Sequence, residues 1–151
     1  HDVGLLSEAG MPAVADPGSS VVRAAHDMGA QVVPLVGPVS LLLTLAASGL
    51  NGQSFAFQGY LPQDAGERSQ HIRQLEGLSL KTGQAQIFIE TPYRNNSLLQ
   101  DIIATCKPTT QLCIAADITS SNEFIVTKTI ENWQKNLPEL HKKPVIFLLL
   151  A

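Results

Sequence analysis

The 151-residue sequence predicts an α/β protein built in two pieces. Three observations carry that prediction. Up to about residue 50, short apolar runs alternate with helical stretches, the β-α-β-α order of parallel strands joined by right-handed crossovers. From residue 54 onward, further apolar runs of strand length alternate with helical segments, and one of them, Phe124 to Lys128, has the alternation of an edge or antiparallel strand. Eleven glycines and nine prolines punctuate the chain between these runs. The expected architecture is therefore the end of a parallel-sheet lobe over 1–50 and a mixed-sheet α/β lobe over 54–151, joined at the turn after Gly49.

Taken in order, Val3 to Ser7 (VGLLS) reads as a buried parallel strand that stops at a Gly- and Pro-containing loop, Glu8 to Gly18. Ser19 or Ser20 is placed to cap the next helix, which has Val21, Val22, Ala24, Ala25 and Met28 on its apolar side and ends at Gly29. Gln31 to Val36 is a second buried strand, broken by Gly37-Pro38. The helix that follows is apolar on nearly every face, which predicts burial between layers. In the second piece, strands are expected at Ser54–Tyr60, Ala85–Glu90, Gln111–Asp117 and Pro144–Leu150, the last a central one. Helices are expected at Glu67–Leu75, after Thr91-Pro92, and around Trp133, which reads as a packing anchor.

Composition excludes several classes. With 44% hydrophobic and 15% charged residues the chain is neither disordered nor a coiled coil. Ten Lys and Arg against thirteen Asp and Glu give a net charge of -3, so there is no whole-chain basic footprint for nucleic acid. Cys106 and Cys113 lack CxxC spacing and read as buried thiols in a reducing compartment. No apolar run reaches the length of a membrane helix, and the protein is read as soluble and cytoplasmic. His1 and His26 have no partners at ligand spacing, so no metal is indicated.

Two loops carry the chemistry. Ser7 to Gly18 (SEAGMPAVADPG) follows the carboxyl end of a strand, where open α/β sheets bind ligands. Gly10 lets backbone approach a ligand closely, Glu8 is an acid at the strand mouth, and Asp16 precedes Pro17-Gly18. An ordinary βα connection has the same composition. Gly37-Pro38-Val39-Ser40 occupies a second strand-to-helix turn, where Ser40 either donates to a ligand or caps its helix.

The segments LLSEAGMPAVADPG, PLVGPVSLLLTLAASGL, FQGYLP and IFIETPYR, in that order, resemble the tetrapyrrole methylase superfamily of S-adenosylmethionine-dependent methyltransferases. Within it they look most like the branch that methylates a cytidine ribose 2′-O in small-subunit ribosomal RNA. That branch shows S-D-A-G-T-P, S-D-P-G, P-G-P-S-A, G-F-L-P and Y-E-S-P-H-R. The resemblance covers nearly the whole chain. It implies a two-lobed, homodimeric, cytoplasmic enzyme of ribosomal RNA processing that holds S-adenosyl-L-methionine between its lobes, with the first strands of the N-terminal lobe lying ahead of His1. It places the donor against Glu8, Ala9, Gly10, Ala13 and Val14, against Val39 and Ser40, and against Ile89, Glu90, Ala115 and Pro144. Glu90, beside Thr91-Pro92, has a competing role as a helix-capping acid.

The chain also departs from the branch. Where the branch has A-R-E-L-T-K, this chain reads Ala115-Ala116-Asp117-Ile118-Thr119-Ser120, and Tyr93 stands in place of a His. The loop after Pro62 offers only Arg68 and Arg73. With Arg94, these are the expected RNA contacts, since phosphate recognition needs Lys and Arg. His141-Lys142-Lys143 is a small basic cluster that reads as a solvated loop or an RNA contact. Glu90 and Asp117 are the candidate general bases. Two other readings stay open: a methyltransferase of the same superfamily acting on a tetrapyrrole or other small molecule, and a non-catalytic domain that binds the donor or RNA.

Overall fold

The continuous apolar runs of the second half become the middle of a sheet. In the computed structural model of the chain, which describes residues 1–151, β5 (Val145–Leu150) lies between β2 (Ala85–Ile89) and β3 (Gln111–Ala116), with β1 (Phe55–Tyr60) and β4 (Phe124–Thr129) at the two edges. β1 runs parallel to β2, and the β2·β5, β5·β3 and β3·β4 pairs are antiparallel, so the five-stranded sheet is mixed. Strands covered on both faces favour apolar side chains at successive positions, which is why IFI, LCIAA and VIFLLL carry no alternation; Gln86 is the buried polar exception in β2, accepting from the Gln58 amide and donating to the Gln84 carbonyl.

Helices α3 (Ala65–Thr82) and α4 (Asn95–Thr105) contribute Ile72, Leu75, Leu98, Leu99 and Ile102 to a core shared with Phe88, Ile114 and Phe147. The Phe88 and Phe147 rings stack with centroids 6.0 Å apart. Trp133, at the end of the single-turn helix α5 (Ile130–Trp133), is buried, and its indole N–H donates to the Leu112 carbonyl at 2.8 Å, so the large ring is packed without orphaning its polar atom. α3 begins at Asp64, whose carboxylate accepts the Glu67 N–H at 3.0 Å, and ends at Gly83, whose left-handed conformation (φ 67°) lets its N–H reach the Ser79 carbonyl. It is longer than the helix expected over Glu67–Leu75.

The chain divides into two compact units, His1–Ser40 and Leu41–Ala151. That division falls just after Ser40, the first residue of α2 (Ser40–Ser48), whereas the sequence reading sets the junction after Gly49. In the second unit, α2 buries Leu41, Thr44, Leu45 and Ser48 and leaves Leu42 and Leu43 exposed, so one face is covered rather than all faces as expected. The Ser48 carbonyl accepts the Thr127 hydroxyl at 2.7 Å, which ties α2 to β4.

The first unit holds one helix, α1 (Ser19–Asp27), and none of its residues is fully buried. Gly18 precedes α1 with no side-chain cap, so neither Ser19 nor Ser20 fills that role. Gly29 closes α1 as expected: its N–H bonds the His26 carbonyl and the Ala30 N–H bonds that of Ala25. The two segments expected as buried parallel strands, Val3–Ser7 and Gln31–Val36, form no strand. Neither has a hydrogen-bonded ladder partner, and Val3, Leu6, Leu35 and Val36 stand exposed. The parallel pairing present is that of β1 with β2.

Candidate functional site

In the first unit, the Ser7–Gly18 loop is strained. Gly10, Ala13 and Ala15 all adopt left-handed backbone, at φ 75°, 65° and 54°. For an alanine this costs on the order of 1 kcal/mol, and such strain clusters where a loop is shaped for a ligand. The Val14 N–H to Met11 carbonyl and Ala13 N–H to Pro17 carbonyl bonds, both 3.3 Å, fold the loop on itself. The second turn lies against it: a Cβ on Gly10 would find the Pro38 carbonyl at 4.0 Å, and one on Gly37 would find the Met11 methyl at 3.8 Å. The loop that carries Gly10, Ala13 and Val14 thus neighbours the Gly37-Pro38 turn, which leads through Val39 into Ser40, the first residue of α2. Glu8 and Ala9 are exposed at the loop start, where the Ser7 hydroxyl donates to the Ala9 carbonyl at 2.9 Å.

In the second unit, the motif residues converge at one end of the sheet. Ile89, Ile146 and Ala115 form a row across β2, β5 and β3. One step beyond, Glu90 follows β2, and Pro144 accepts the Asp117 N–H at 3.1 Å. The Glu90 side chain is buried. Its Oε1 accepts the Thr91 N–H at 2.6 Å and pairs with the Arg94 guanidinium at 2.7 Å, while Oε2 is buried with no hydrogen-bond partner. Glu90 does not cap α4: the residue before that helix is Arg94, and no side chain caps it.

The three arginines expected at RNA fare differently. Arg68 is a buried structural residue. Its guanidinium pairs with Asp101 at 2.5 Å and donates to the Gln63 carbonyl at 2.8 Å and the Pro62 carbonyl at 3.3 Å, so it binds α3, the preceding loop and α4 together. A guanidinium so occupied has no donors left for phosphate, and this corrects the sequence expectation. Arg94 is half-buried on Glu90. Arg73 is exposed.

Asp117 sits in left-handed backbone (φ 51°), and its carboxylate lies 3.5 Å from the Lys143 ammonium. Both line a cleft of about 500 Å³ at this end of the sheet. Glu139, also at the cleft, is held below its ordinary carboxylate range, first by the Asn96 amide and then by the His141 backbone N–H. Sequence reasoning missed the neighbourhood of Tyr93 and His141, whose rings meet edge to face at 5.8 Å. The departure of Tyr93 from the branch motif and the basic run after His141 were the available signals. No group of three or more His, Cys, Asp or Glu side chains is clustered as a metal would require, and both cysteines are free and buried.

No family-level sequence model matches the chain. Among curated proteins it is 33% identical over 123 residues to the ribosomal RNA small subunit methyltransferase I of Vibrio cholerae, a stretch covering 82% of this chain and 41% of that protein. It is likewise 33% identical over 135 residues to the protein of that name from Neisseria meningitidis, covering 89% and 45%. The chain therefore spans about half the length of the curated relatives it matches. Among solved structures it resembles the methyltransferase CobJ (TM-score 0.60, 17% identity, 94% of this chain and 62% of that one). It also resembles the uroporphyrin-III C-methyl transferase of Thermus thermophilus solved with S-adenyl homocysteine (TM-score 0.53, 19% identity, 94% and 63%). At these identities the structural likeness speaks for the fold.

Proposed function

For a chain that belongs to the ribosomal RNA small subunit methyltransferase I family, within the tetrapyrrole methylase superfamily, we propose that it forms part of an S-adenosyl-L-methionine-dependent methyltransferase acting on the ribose 2′-O of a cytidine in small-subunit ribosomal RNA. The observation that carries the reading is the gathering of the motif residues within each unit: the strained Gly10 loop against the Pro38 turn in one, and Ile89, Glu90, Ala115 and Pro144 at one sheet end in the other. The names of the relatives support ribosomal RNA as acceptor, and hence a cytoplasmic enzyme. A homodimer is proposed from family resemblance, with the exposed Leu42 and Leu43 of α2 as surface suited to it.

The residues present fit the donor's chemistry. The orphaned Glu90 Oε2 is a buried carboxylate oxygen suited to a cationic group. In the first unit, a Cβ on Gly10 would meet the Pro38 carbonyl at 4.0 Å, so a larger side chain there would fill the space between loop and turn. When bound, the donor supplies a methyl group on a cationic sulfur. The chain's own part is to hold and orient. In the first unit, backbone of the Glu8–Val14 loop and of the Val39-Ser40 turn offers N–H and C=O groups to the edge of a flat ring. In the second unit, taken by itself, the apolar Ile89–Ala115 row keeps water from the sheet end beside Glu90. Removal of the acceptor hydroxyl proton falls to Asp117 rather than Glu90, because Glu90 Oε1 is engaged by Thr91 and Arg94 and its remaining Oε2 is buried, whereas Asp117 lines the cleft.

Calorimetry with S-adenosylhomocysteine tests this reading. Gly10→Trp puts a bulky side chain into the loop and is expected to abolish binding, while the circular dichroism of the helices and sheet stays unchanged. Unchanged affinity in the variant removes the loop from the site.

A further inference from the structure

The edge strand β1 does not reach its loop in regular register. Phe57 pairs with Ile87 and Tyr60 with Ile89, so three steps along β1 match two along β2. The extra residue falls at a bulge that holds Gly59, whose left-handed backbone (φ 68°) is one that side chains disfavour. Side chains alternate faces along a strand. In regular register Gly59 would therefore stand beside Ile89, and Tyr60 would turn to the face of Phe88, whose core includes residues of α3 and α4. The bulge instead puts Tyr60 in the row of Ile89, Ile146 and Ala115, and carries that row to the sheet edge. Bulges beside sites commonly re-aim one side chain in this way.

The re-aimed residue is exposed, but its neighbours are anchored. Tyr60 is 62% exposed. On one side of it, the Gln58 amide donates to the Gln86 side chain at 2.7 Å. On the other, Leu61 is buried in the core, and the Arg68 guanidinium, paired with Asp101, donates to the Pro62 and Gln63 carbonyls. A single exposed aromatic residue needs no explanation. This one is aimed by a bulge, held from both sides and set beside motif residues. A fixed, exposed ring suits the face of another flat ring. Charge narrows the class of that ring. Along the chain the first charged residues after Tyr60 are the exposed acids Asp64 and Glu67, and β2 beside it ends at Glu90. This corner repels phosphates and carboxylates. It fits a neutral nucleobase splayed out from an unpaired strand whose phosphates lie elsewhere.

We propose that Tyr60, aimed by the Gly59 bulge, is a stacking residue for an unpaired RNA nucleobase that flanks the methyl acceptor. The proposal rests on the methyltransferase reading above and adds a contact that positions the RNA without reading its sequence. Fluorescence anisotropy with labelled oligoadenylate and oligouridylate of equal length tests it over a salt series, with S-adenosylhomocysteine calorimetry run in parallel. Tyr60→Ala is expected to weaken both oligomers by roughly fivefold or more, because every base has a π-face. Tyr60→Trp keeps a ring and should bind at least as tightly as the parent chain, with the fluorescence of the new indole quenched by the bound base. Tyr60→Leu keeps apolar bulk without a ring and should follow Tyr60→Ala. The slope of log affinity against log salt should be the same in parent and variants, since no phosphate contact is removed. Affinity for S-adenosylhomocysteine should be unchanged throughout. Oligomer binding untouched by Tyr60→Ala, or as tight in Tyr60→Leu as in Tyr60→Trp, overturns the proposal. Loss of S-adenosylhomocysteine binding in Tyr60→Ala with unchanged circular dichroism also overturns it, because the ring then serves the donor. If the parent chain binds S-adenosylhomocysteine and neither oligomer, the stacking assignment falls and the donor reading stands. Ring-dependent oligomer binding by a chain that does not bind S-adenosylhomocysteine supports Tyr60 and sinks the donor reading.

Discussion

The two units carry comparable motif content on very different foundations. The first, His1–Ser40, bears the loop with the strongest family signature, yet it has no strand and no fully buried residue. The second, Leu41–Ala151, places its motif residues at the end of a five-stranded sheet whose central strands are buried on both faces. Motif chemistry is therefore readable where packing is thin. Burial stabilises by roughly 25 cal/mol per Å² of apolar surface removed from water, and that term lies almost wholly in the second unit. The first unit is shaped by backbone geometry: glycines in left-handed turns, a closed helix end, and loop bonds of 3.3 Å.

The sharpest way to break this contrast is amide hydrogen exchange. Amides of β3 and β5 open only with the whole sheet, so Cys113 and Leu148 should exchange at rates set by global unfolding. Amides of α1, which has no buried residue, should exchange at least roughly a thousandfold faster. Uniform slow protection across both units, recorded residue by residue by NMR, would defeat the division.

A smaller effect separates two arginines on the same helix. Arg68 is buried on Asp101 and two carbonyls, whereas Arg73 is exposed. Arg68→Met strands a carboxylate that is itself mostly covered, at 24% side-chain exposure, and leaves two carbonyls without their donor. Removing one partner of a buried pair costs about 3 kcal/mol. The Arg73→Met change should stay within about 0.5 kcal/mol. Urea unfolding of the two variants decides it, and equal midpoints would return Arg68 to the surface.

Those arginines also mark what the sequence could and could not disclose. The strands that carry IFI, LCIAA and VIFLLL, and the packing role of Trp133, were legible because continuous apolar runs and a lone indole have few other uses in a small α/β domain. The edge position of β4 followed from its alternation. The fate of Arg68 was not legible, because its partner Asp101 and the accepting carbonyls meet it only through tertiary packing. The apolar runs Val3–Ser7 and Gln31–Val36 misled for the opposite reason: local pattern suits a strand, but a strand exists only with a ladder partner. At the site, loops and motif residues could be named in advance. The pairing of Tyr93 with His141 and the cleft next to it needed the fold to bring Pro92 and Lys142 within 2.9 Å.

The smallest effect is a pH dependence confined to the second unit, which holds both thiols. Burial, and then the repulsion of the neighbouring Glu76 carboxylate, push the Cys106 thiol from 9.0 up to about 12. Burial raises Cys113 as well. Below pH 9 the Cys106 thiol is protonated in folded and unfolded chains alike, and its contribution is fully present. Above that, the unfolded thiol ionises while the folded one does not, so stability is lost progressively as pH rises toward about 12. By pH 10 the loss from this group is about 1 kcal/mol. Urea midpoints at pH 8 and pH 10 should therefore fall further apart in the parent chain than in Cys106→Ala, in which the other titrating groups are unchanged. Alkylation by iodoacetamide supplies the second readout: at pH 8 both thiols should resist it until the sheet unfolds, because neither is ionised or reachable while buried. Identical pH dependence in the two chains, together with rapid alkylation of the folded protein, would show that the second unit opens as readily as the first.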